Sequence, residues 1–160
     1  MKNKILKIAL FISILTIGIG CDQTTKEIAR EQLAYQAPTS YLKGVFILTY
    51  YENSGAFLGL GEQLSPIIKL FVLMLLPLFF LFSISFHVLQ SKYSTLYFTG
   101  FCLLIAGGIG NLVDRFSDGF VVDFMHIRLL DGLKTGVFNF ADVYITFGIF
   151  LIFLHLYREE

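Results

Sequence analysis

Two aspartates stand in apolar stretches of the chain. Asp123 lies between Val122 and Phe124 in FVVDFMHIR, and Asp142 ends the segment FNFAD at the start of a long apolar run. Loss of hydration raises the pKa of a carboxyl group and leaves it able to donate a proton near neutral pH. Two carboxyls within about 3 Å of each other share one proton, so one can activate water while the other polarises a peptide carbonyl. The pair therefore predicts acid–base hydrolysis of a peptide bond, with an ordinary exposed strand position as the alternative for Asp123.

Other catalytic sets are missing from the sequence. It offers no Ser-His-Asp combination, no His-Glu-x-x-His zinc helix and no cysteine with a plausible external base. His126 has no second histidine nearby, so we interpret it as a bystander rather than a metal ligand. We expect neither a metal nor a cofactor.

Further polar residues gather in three short segments. In CDQTTK, Asp22 and Lys26 are four residues apart and would share a helical face, with a surface ion pair as the alternative. In YYENSGAF, a predicted strand over Val45–Tyr51 ends at Asn53 and Gly55, where Asn53 either makes the turn or contacts a bound peptide.

The third segment is AGGIGNLVDR. Its glycines would let another helix or a substrate backbone approach closely, and helix packing is the simpler interpretation. Asn111 and Asp114 are three residues apart on one face, and Arg115 can clamp carboxylates or carbonyls through its planar fork. We expect these three side chains to form a polar floor beneath the external segment.

Composition identifies the elements that must position these residues. The chain has 160 residues, of which 56% are hydrophobic and only 15% charged, which is too apolar for an ordinary soluble domain. Four stretches of about 5–20, 67–88, 96–113 and 137–157 are long and uncharged enough to cross a bilayer. The predicted fold is an integral membrane protein, mainly α-helical, with four transmembrane helices and a small extracytoplasmic β-sheet, in one domain.

Basic residues predict the topology. They precede the first span, occupy the tight loop between the second and third, and follow the fourth at Arg158, which places these segments in the cytoplasm. The segments of about 22–66 and 114–136 then lie outside, and both termini lie inside. The formal net charge is zero, so nothing suggests a nucleic-acid partner.

Cys21 raises a second possibility for the first span. The basic start, apolar run and GIGC ending also describe a cleavable signal peptide, but bulky Ile19 stands where a small residue is usual. We expect a retained helix. Cys21 and Cys102 do not indicate a disulfide framework.

The depth of Asp142 separates two classes of function. If the fourth span starts near Val137, Asp142 lies roughly 7 to 8 Å along the helix, at headgroup depth. A carrier or proton relay would place its carboxylates nearer the midplane. The depth thus favours an enzyme at the membrane surface over the rival hypothesis, a small membrane transporter or assembly factor that binds a cation.

Five ordered motifs resemble those of the lipoprotein signal peptidases (signal peptidase II). They are DQTTK, ENSGAF, GGIGNLVDR, VVDF and FNFAD, and with the length and the four spans they cover nearly the whole chain. The resemblance implies an intramembrane aspartic endopeptidase of the bacterial cytoplasmic (inner) membrane. Such an enzyme cuts a prolipoprotein just before its diacylglyceryl-modified cysteine, on the extracytoplasmic side. A monomer in contact with membrane lipid is expected.

The resemblance also implies roles for individual residues. Asp123 and Asp142 would form the catalytic dyad, and the external strands would form a cradle at the membrane surface with the Asn53 loop as a lid. The glycines of the third span would admit the substrate helix. The supporting or substrate-binding residues would be Asp22, Gln23, Lys26, Asn53, Gly55, Gly107, Gly108, Asn111, Asp114, Arg115 and Asn139.

Overall fold

The fold consists of four long helices and one small antiparallel sheet. The structure, a computed structural model, describes residues 4–56, 59–90, 94–130 and 133–159. The helices are α1 (Lys4–Leu33), α2 (Pro66–Gln90), α3 (Thr95–Ser117) and α4 (Phe140–Glu159). Each contains a window of mean hydropathy between 1.7 and 2.6, which is long and apolar enough to cross a membrane. The predicted class of four spanning helices with a small sheet is confirmed.

Helix boundaries differ from the sequence-based ranges at the polar ends. α1 continues well past residue 20, runs through Cys21 without a break and ends at Leu33, and Asp22 and Lys26 are buried along this extension. α4 begins at Phe140 rather than near 137, which makes Asp142 its third residue. The predicted depth along the fourth helix was therefore too large.

Lys7, one of the basic residues expected to precede the first span, lies inside α1. Its ammonium is buried and donates hydrogen bonds to the carbonyls of Val88 (2.5 Å) and Leu89 (3.2 Å) at the end of α2. A cation at this place satisfies carbonyls that a helix C-terminus leaves without intrahelical partners.

α2 is irregular near its start. After Pro66 at the first helical turn, residues Leu70–Leu75 form a π-helical segment before regular α-helix resumes. Such segments widen the helix locally and are common at functional sites. Here the widened turn carries Val72 and Leu73, which line the cavity described below.

The sheet has the order β1-β2-β3-β4, with all neighbours antiparallel. Its strands are β1 (Thr39–Tyr41), β2 (Phe46–Asn53), β3 (Val121–Leu130) and β4 (Leu133–Lys134). β2 extends beyond the predicted Tyr51 and ends at Asn53, which pairs with Val121, while Tyr51 pairs with Asp123. This register brings Asn53 beside Asp123.

α3 is the central helix. Half of its apolar window is buried, against 11 to 17% in the other three helices. Glycines allow the close approach of α4: a Cβ on Gly107 would collide with the carbonyl oxygen of Ala141, and a Cβ on Gly100 would lie 2.8 Å from that of Gly148. The sheet is held to the C-terminal end of α1 by a separate cluster centred on Ala29, Val122, Phe124 and Met125.

Candidate active site

Asp123 is buried in β3 between two asparagine amides. Only 2% of the residue is exposed. Asn53 Nδ2 donates to one carboxyl oxygen (3.0 Å), and Asn139 Nδ2 donates to the other (2.7 Å). Both amides are held in this orientation by backbone donors, since Gly55 N donates to Asn53 Oδ1 (3.0 Å) and Asp142 N donates to Asn139 Oδ1 (3.0 Å).

Burial raises the pKa of Asp123 to about 7. Desolvation is the largest cause, and the nearby charge of Asp142 acts in the same direction. The hydrogen bonds from Asn53 and Asn139 favour the ionised form and oppose the shift. The direction of this shift is the one expected from the sequence, and the role of Asp123 as a proton donor stays a prediction.

Asp142 lies in the first turn of α4, where the helix dipole favours a negative charge. Its carboxylate accepts from Asn139 N (3.1 Å) and from Asn111 Nδ2 (3.0 Å). Asn139 and Asp142 thus form a reciprocal cap of the kind known as a capping box. Asn139 donates a hydrogen bond to Asp123 from its side chain and one to Asp142 from its backbone N–H. It therefore links the two aspartates.

Lys26 is the buried cation of the site. Its ammonium makes ion pairs with Asp22 (2.7 Å) and Asp114 (2.8 Å) and donates to Asn111 Oδ1 (3.0 Å). With 2% of Lys26 exposed, this is not the surface ion pair considered as the alternative. The polar floor expected from Asn111 and Asp114 therefore includes a cation supplied by α1.

Asp22 and Gln23 connect α1 to the other helices. Asp22 Oδ1 accepts from Ala141 N (2.9 Å), so a residue of α1 satisfies a free amide in the first turn of α4. Gln23 Nε2 donates to Asp114 Oδ1 (2.7 Å) and to the Gly110 carbonyl (3.2 Å) on α3. The Asp22 contact holds the start of α4, which carries Asp142, and the Gln23 contacts hold α1 to α3.

Arg115 holds the loop that follows β2. Its Nη2 donates to the Gly55 carbonyl (2.9 Å), and its Nη1 donates more weakly to the Asn111 carbonyl (3.4 Å). Gly55 is itself tightly enclosed, since a Cβ there would lie 2.7 Å from the backbone carbon of Gly59. A side chain at position 55 would force this loop away from the site.

A cavity of about 470 Å³ opens beside both aspartates. Asn53, Asn111 and Arg115 line it together with Asp123 and Asp142. Apolar residues of α2, α3, α4, β3 and the segment before α4 also line it, namely Val72, Leu73, Pro77, Leu112, Val121, Val137 and Ile145. A mainly apolar lining with a few polar groups is typical of a small-ligand or peptide site.

The predicted residues do not all face this cavity. Gly108 lines it, whereas Gly107 packs against α4 and so follows the helix-packing interpretation. Asp22, Gln23, Lys26, Asp114 and Asn139 support the site without lining the cavity. His126 lies apart, with Nδ1 3.4 Å from the Gly136 carbonyl.

The wall from α2 was missed by sequence reasoning. Val72, Leu73 and Pro77 lie in an unbroken apolar run, where nothing distinguishes a residue facing a cavity from one facing lipid. Among the residues that the structure describes, no group of three His, Cys, Asp or Glu side chains could hold a metal ion.

Comparisons with known proteins agree with this architecture. Residues 14–158 match the family model described as signal peptidase (SPase) II. The lipoprotein signal peptidase of Streptococcus pneumoniae (strain ATCC BAA-255 / R6) is 33% identical over 156 residues, with 96% of each chain covered. That of Clostridium tetani is 33% identical over 151 residues, with 93% of each covered. A bacterial membrane enzyme solved by the in meso method at 1.9 Å resolution superposes with a TM-score of 0.80 at 26% identity, with 96% of each chain covered. The chain belongs to the signal peptidase II family.

Proposed function

We propose that this protein is an intramembrane aspartic endopeptidase that removes the signal peptide of prolipoproteins just before the diacylglyceryl-modified cysteine. Asp123 and Asp142 form its catalytic pair. The observation that carries the proposal is that both carboxyls line one cavity and are joined through Asn139, at the junction of the sheet and the start of a spanning helix. Family membership supports the reaction class.

The two carboxyls act in different protonation states. Asp123, with a pKa of about 7, carries the shared proton, and Asp142 is the carboxylate in the first turn of α4. A water molecule held between them loses a proton to Asp142 and attacks the scissile carbonyl carbon, while Asp123 donates its proton to the carbonyl oxygen. The tetrahedral intermediate then collapses as Asp142 returns a proton to the leaving amine and Asp123 recovers one from the hydroxyl.

The shape of the cavity suits a membrane-embedded substrate. The apolar lining from α2 and α4 would contact the signal helix, and the polar groups would hold the backbone around the cleaved bond. Arg115 and Asn53 fix the loop at Gly55, which would cover the substrate as a lid. The tightly packed Gly107 contact keeps α3 and α4 together beside this path.

We further infer a multi-pass orientation with both termini in the cytoplasm and the aspartates on the extracytoplasmic side. The support is the distribution of basic residues, because the short segments at the ends and between α2 and α3 carry them at the highest density. The cleaved bond would then lie at the outer headgroups.

A cleavage assay tests the proposal. The purified protein in detergent, with chelator present and no nucleotide, is mixed with a lipidated prolipoprotein and, separately, with the same precursor lacking the diacylglyceryl group. Cleavage of the lipidated precursor alone, at the bond before the cysteine, is the expected result. Equal cleavage of both precursors would refute lipid recognition, and no cleavage of either would favour a carrier or assembly factor.

A further inference from the structure

Asn111 is oriented by a charged side chain rather than by backbone groups. Its Oδ1 accepts from Lys26 Nζ at 3.0 Å, and its Nδ2 donates to Asp142 Oδ1 at 3.0 Å. An ammonium group can only donate hydrogen bonds, so it binds the oxygen of an amide and repels the NH2 group. The cation therefore decides which end of the Asn111 amide faces Asp142.

The ammonium of Lys26 is itself held by hydrogen-bond acceptors. The ammonium has three hydrogens, and its three acceptors are Asp22, Asp114 and Asn111. A buried ion pair of this kind is held in a single geometry, because any rotation would leave a charge unpaired away from water. Asn111 is thus the one neutral acceptor of this cation among the contacts described.

Asn111 Oδ1 has a second donor, Asn139 Nδ2, which holds it less firmly than Lys26 does. Asn139 Nδ2 lies 3.1 Å from this oxygen, but the same nitrogen donates at 2.7 Å to Asp123 Oδ1. This nitrogen has two hydrogens, so one serves Asp123 and the other is divided between Asn111 Oδ1 and the Val122 carbonyl at 3.3 Å. Without Lys26, the amide could rotate and present its oxygen to the Asp142 carboxylate.

We propose that Lys26 is a positioning residue for Asp142, acting through the orientation of the Asn111 amide. The inference rests on the proposed function and adds the element that determines the environment of the second aspartate. Lys26 does not line the cavity, so the proposal gives it no contact with substrate. Its loss should reduce kcat, because Asp142 loses a donor and gains a repulsive oxygen, and should leave KM nearly unchanged.

The test measures kcat and KM for cleavage of a lipidated precursor in detergent. The variants are Lys26→Gln, Asn111→Leu and their double variant. The matched control is Arg30→Gln, which removes a partly exposed cation one turn further along α1, paired with Asp118 and more loosely with Glu27. A further double variant, Lys26→Gln with Asp114→Asn, removes one cation and one anion together. The net charge of Asp22, Lys26 and Asp114 therefore stays at −1.

The expected result is a kcat about 100-fold lower for Lys26→Gln, the scale seen when one preorganised donor is lost, with KM within about twofold and Arg30→Gln like the wild type. Adding Lys26→Gln to Asn111→Leu should lower kcat by less than about threefold, because both changes remove one contact. Additive losses, or a folded variant with kcat within about threefold of wild type, would overturn the proposal.

The folding of the variants is decided by thermal unfolding in detergent. If Lys26→Gln alone fails to fold, the charge-balanced variant carries the same kinetic test. If neither folds, Lys26 is a stability residue only and the positioning role is refuted. Full activity in Asp123→Asn or Asp142→Asn would instead contradict the proposed function, so the two failures are distinguishable.

Discussion

Asn139 and Asp142 cap each other at the start of α4. The Asp142 carboxylate accepts from the Asn139 backbone N–H (3.1 Å), and the Asn139 side-chain oxygen accepts from the Asp142 N–H (3.0 Å). The same asparagine donates to Asp123 through Nδ2. One local helix cap therefore also sets the relation between the two carboxyls.

Replacement of either aspartate should abolish cleavage without unfolding the protein. Asp123→Asn and Asp142→Asn keep the shape of the side chain but cannot exchange protons, so we expect kcat/KM to fall by roughly 1000-fold or more. The measurement is cleavage of a lipidated precursor, with thermal unfolding to verify the fold. Asp118→Asn, an exposed acid paired with Arg30, is the control and should behave like the wild type.

Two replacements of Asn139 should separate the cap from the bond to Asp123. Asn139→Ser retains an oxygen that can cap α4 but loses the amide donor to Asp123, so cleavage should fall by about 100-fold. Asn139→Ala loses both and should be less stable than the serine variant by about 1 kcal/mol. Equal stability of the two variants would show that the cap contributes nothing.

Activity should decline above neutral pH. Because Asp123 must be protonated to act as the acid and its pKa is raised to about 7, kcat/KM should fall about tenfold per pH unit well above that value. Asn53→Ala removes a hydrogen bond that favours the ionised carboxyl, so the decline should begin at a higher pH in this variant. A decline that starts at the same or a lower pH would contradict the assignment.

The same group should make stability depend on pH. The folded pKa of Asp123 exceeds its ordinary value of 3.8, so the folded state binds more protons than the unfolded state between the two values. This contribution is complete below about pH 4 and is lost as the pH rises through about 7. Thermal unfolding in detergent should show this loss in the wild type and less of it in Asp123→Asn.

A pair of glycines tests the packing of α3 on α4. A Cβ at Gly107 would collide with the Ala141 carbonyl, which is backbone and cannot move easily, whereas a Cβ at Gly20 would meet nothing within 4 Å. Gly107→Ala should lower the free energy of unfolding by about 1–3 kcal/mol, and Gly20→Ala should not lower it. Equal thermal midpoints for both variants would refute the close contact.

Much of this architecture could be predicted from the sequence. Long uncharged runs specify spanning helices wherever they occur, because lipid offers the backbone no hydrogen-bond partners. The apolar stretch around Asp123 likewise predicted that it would be buried with a raised pKa, and desolvation is the largest cause of that shift. These properties follow from residue type and local order alone.

Only the tertiary structure decided how the polar groups meet. Asp22 caps a helix that begins 118 residues later, Lys26 orients Asn111 on another helix, and the widened turn of α2 supplies a cavity wall from residues that look lipid-facing in sequence. Such contacts depend on the register of the sheet and on which helix faces turn inward. The sequence by itself determined that the chain spans a membrane and carries two aspartates in apolar stretches. Packing determined which partners hold each acid, because hydrogen bonds between distant segments depend on distances that no local pattern encodes.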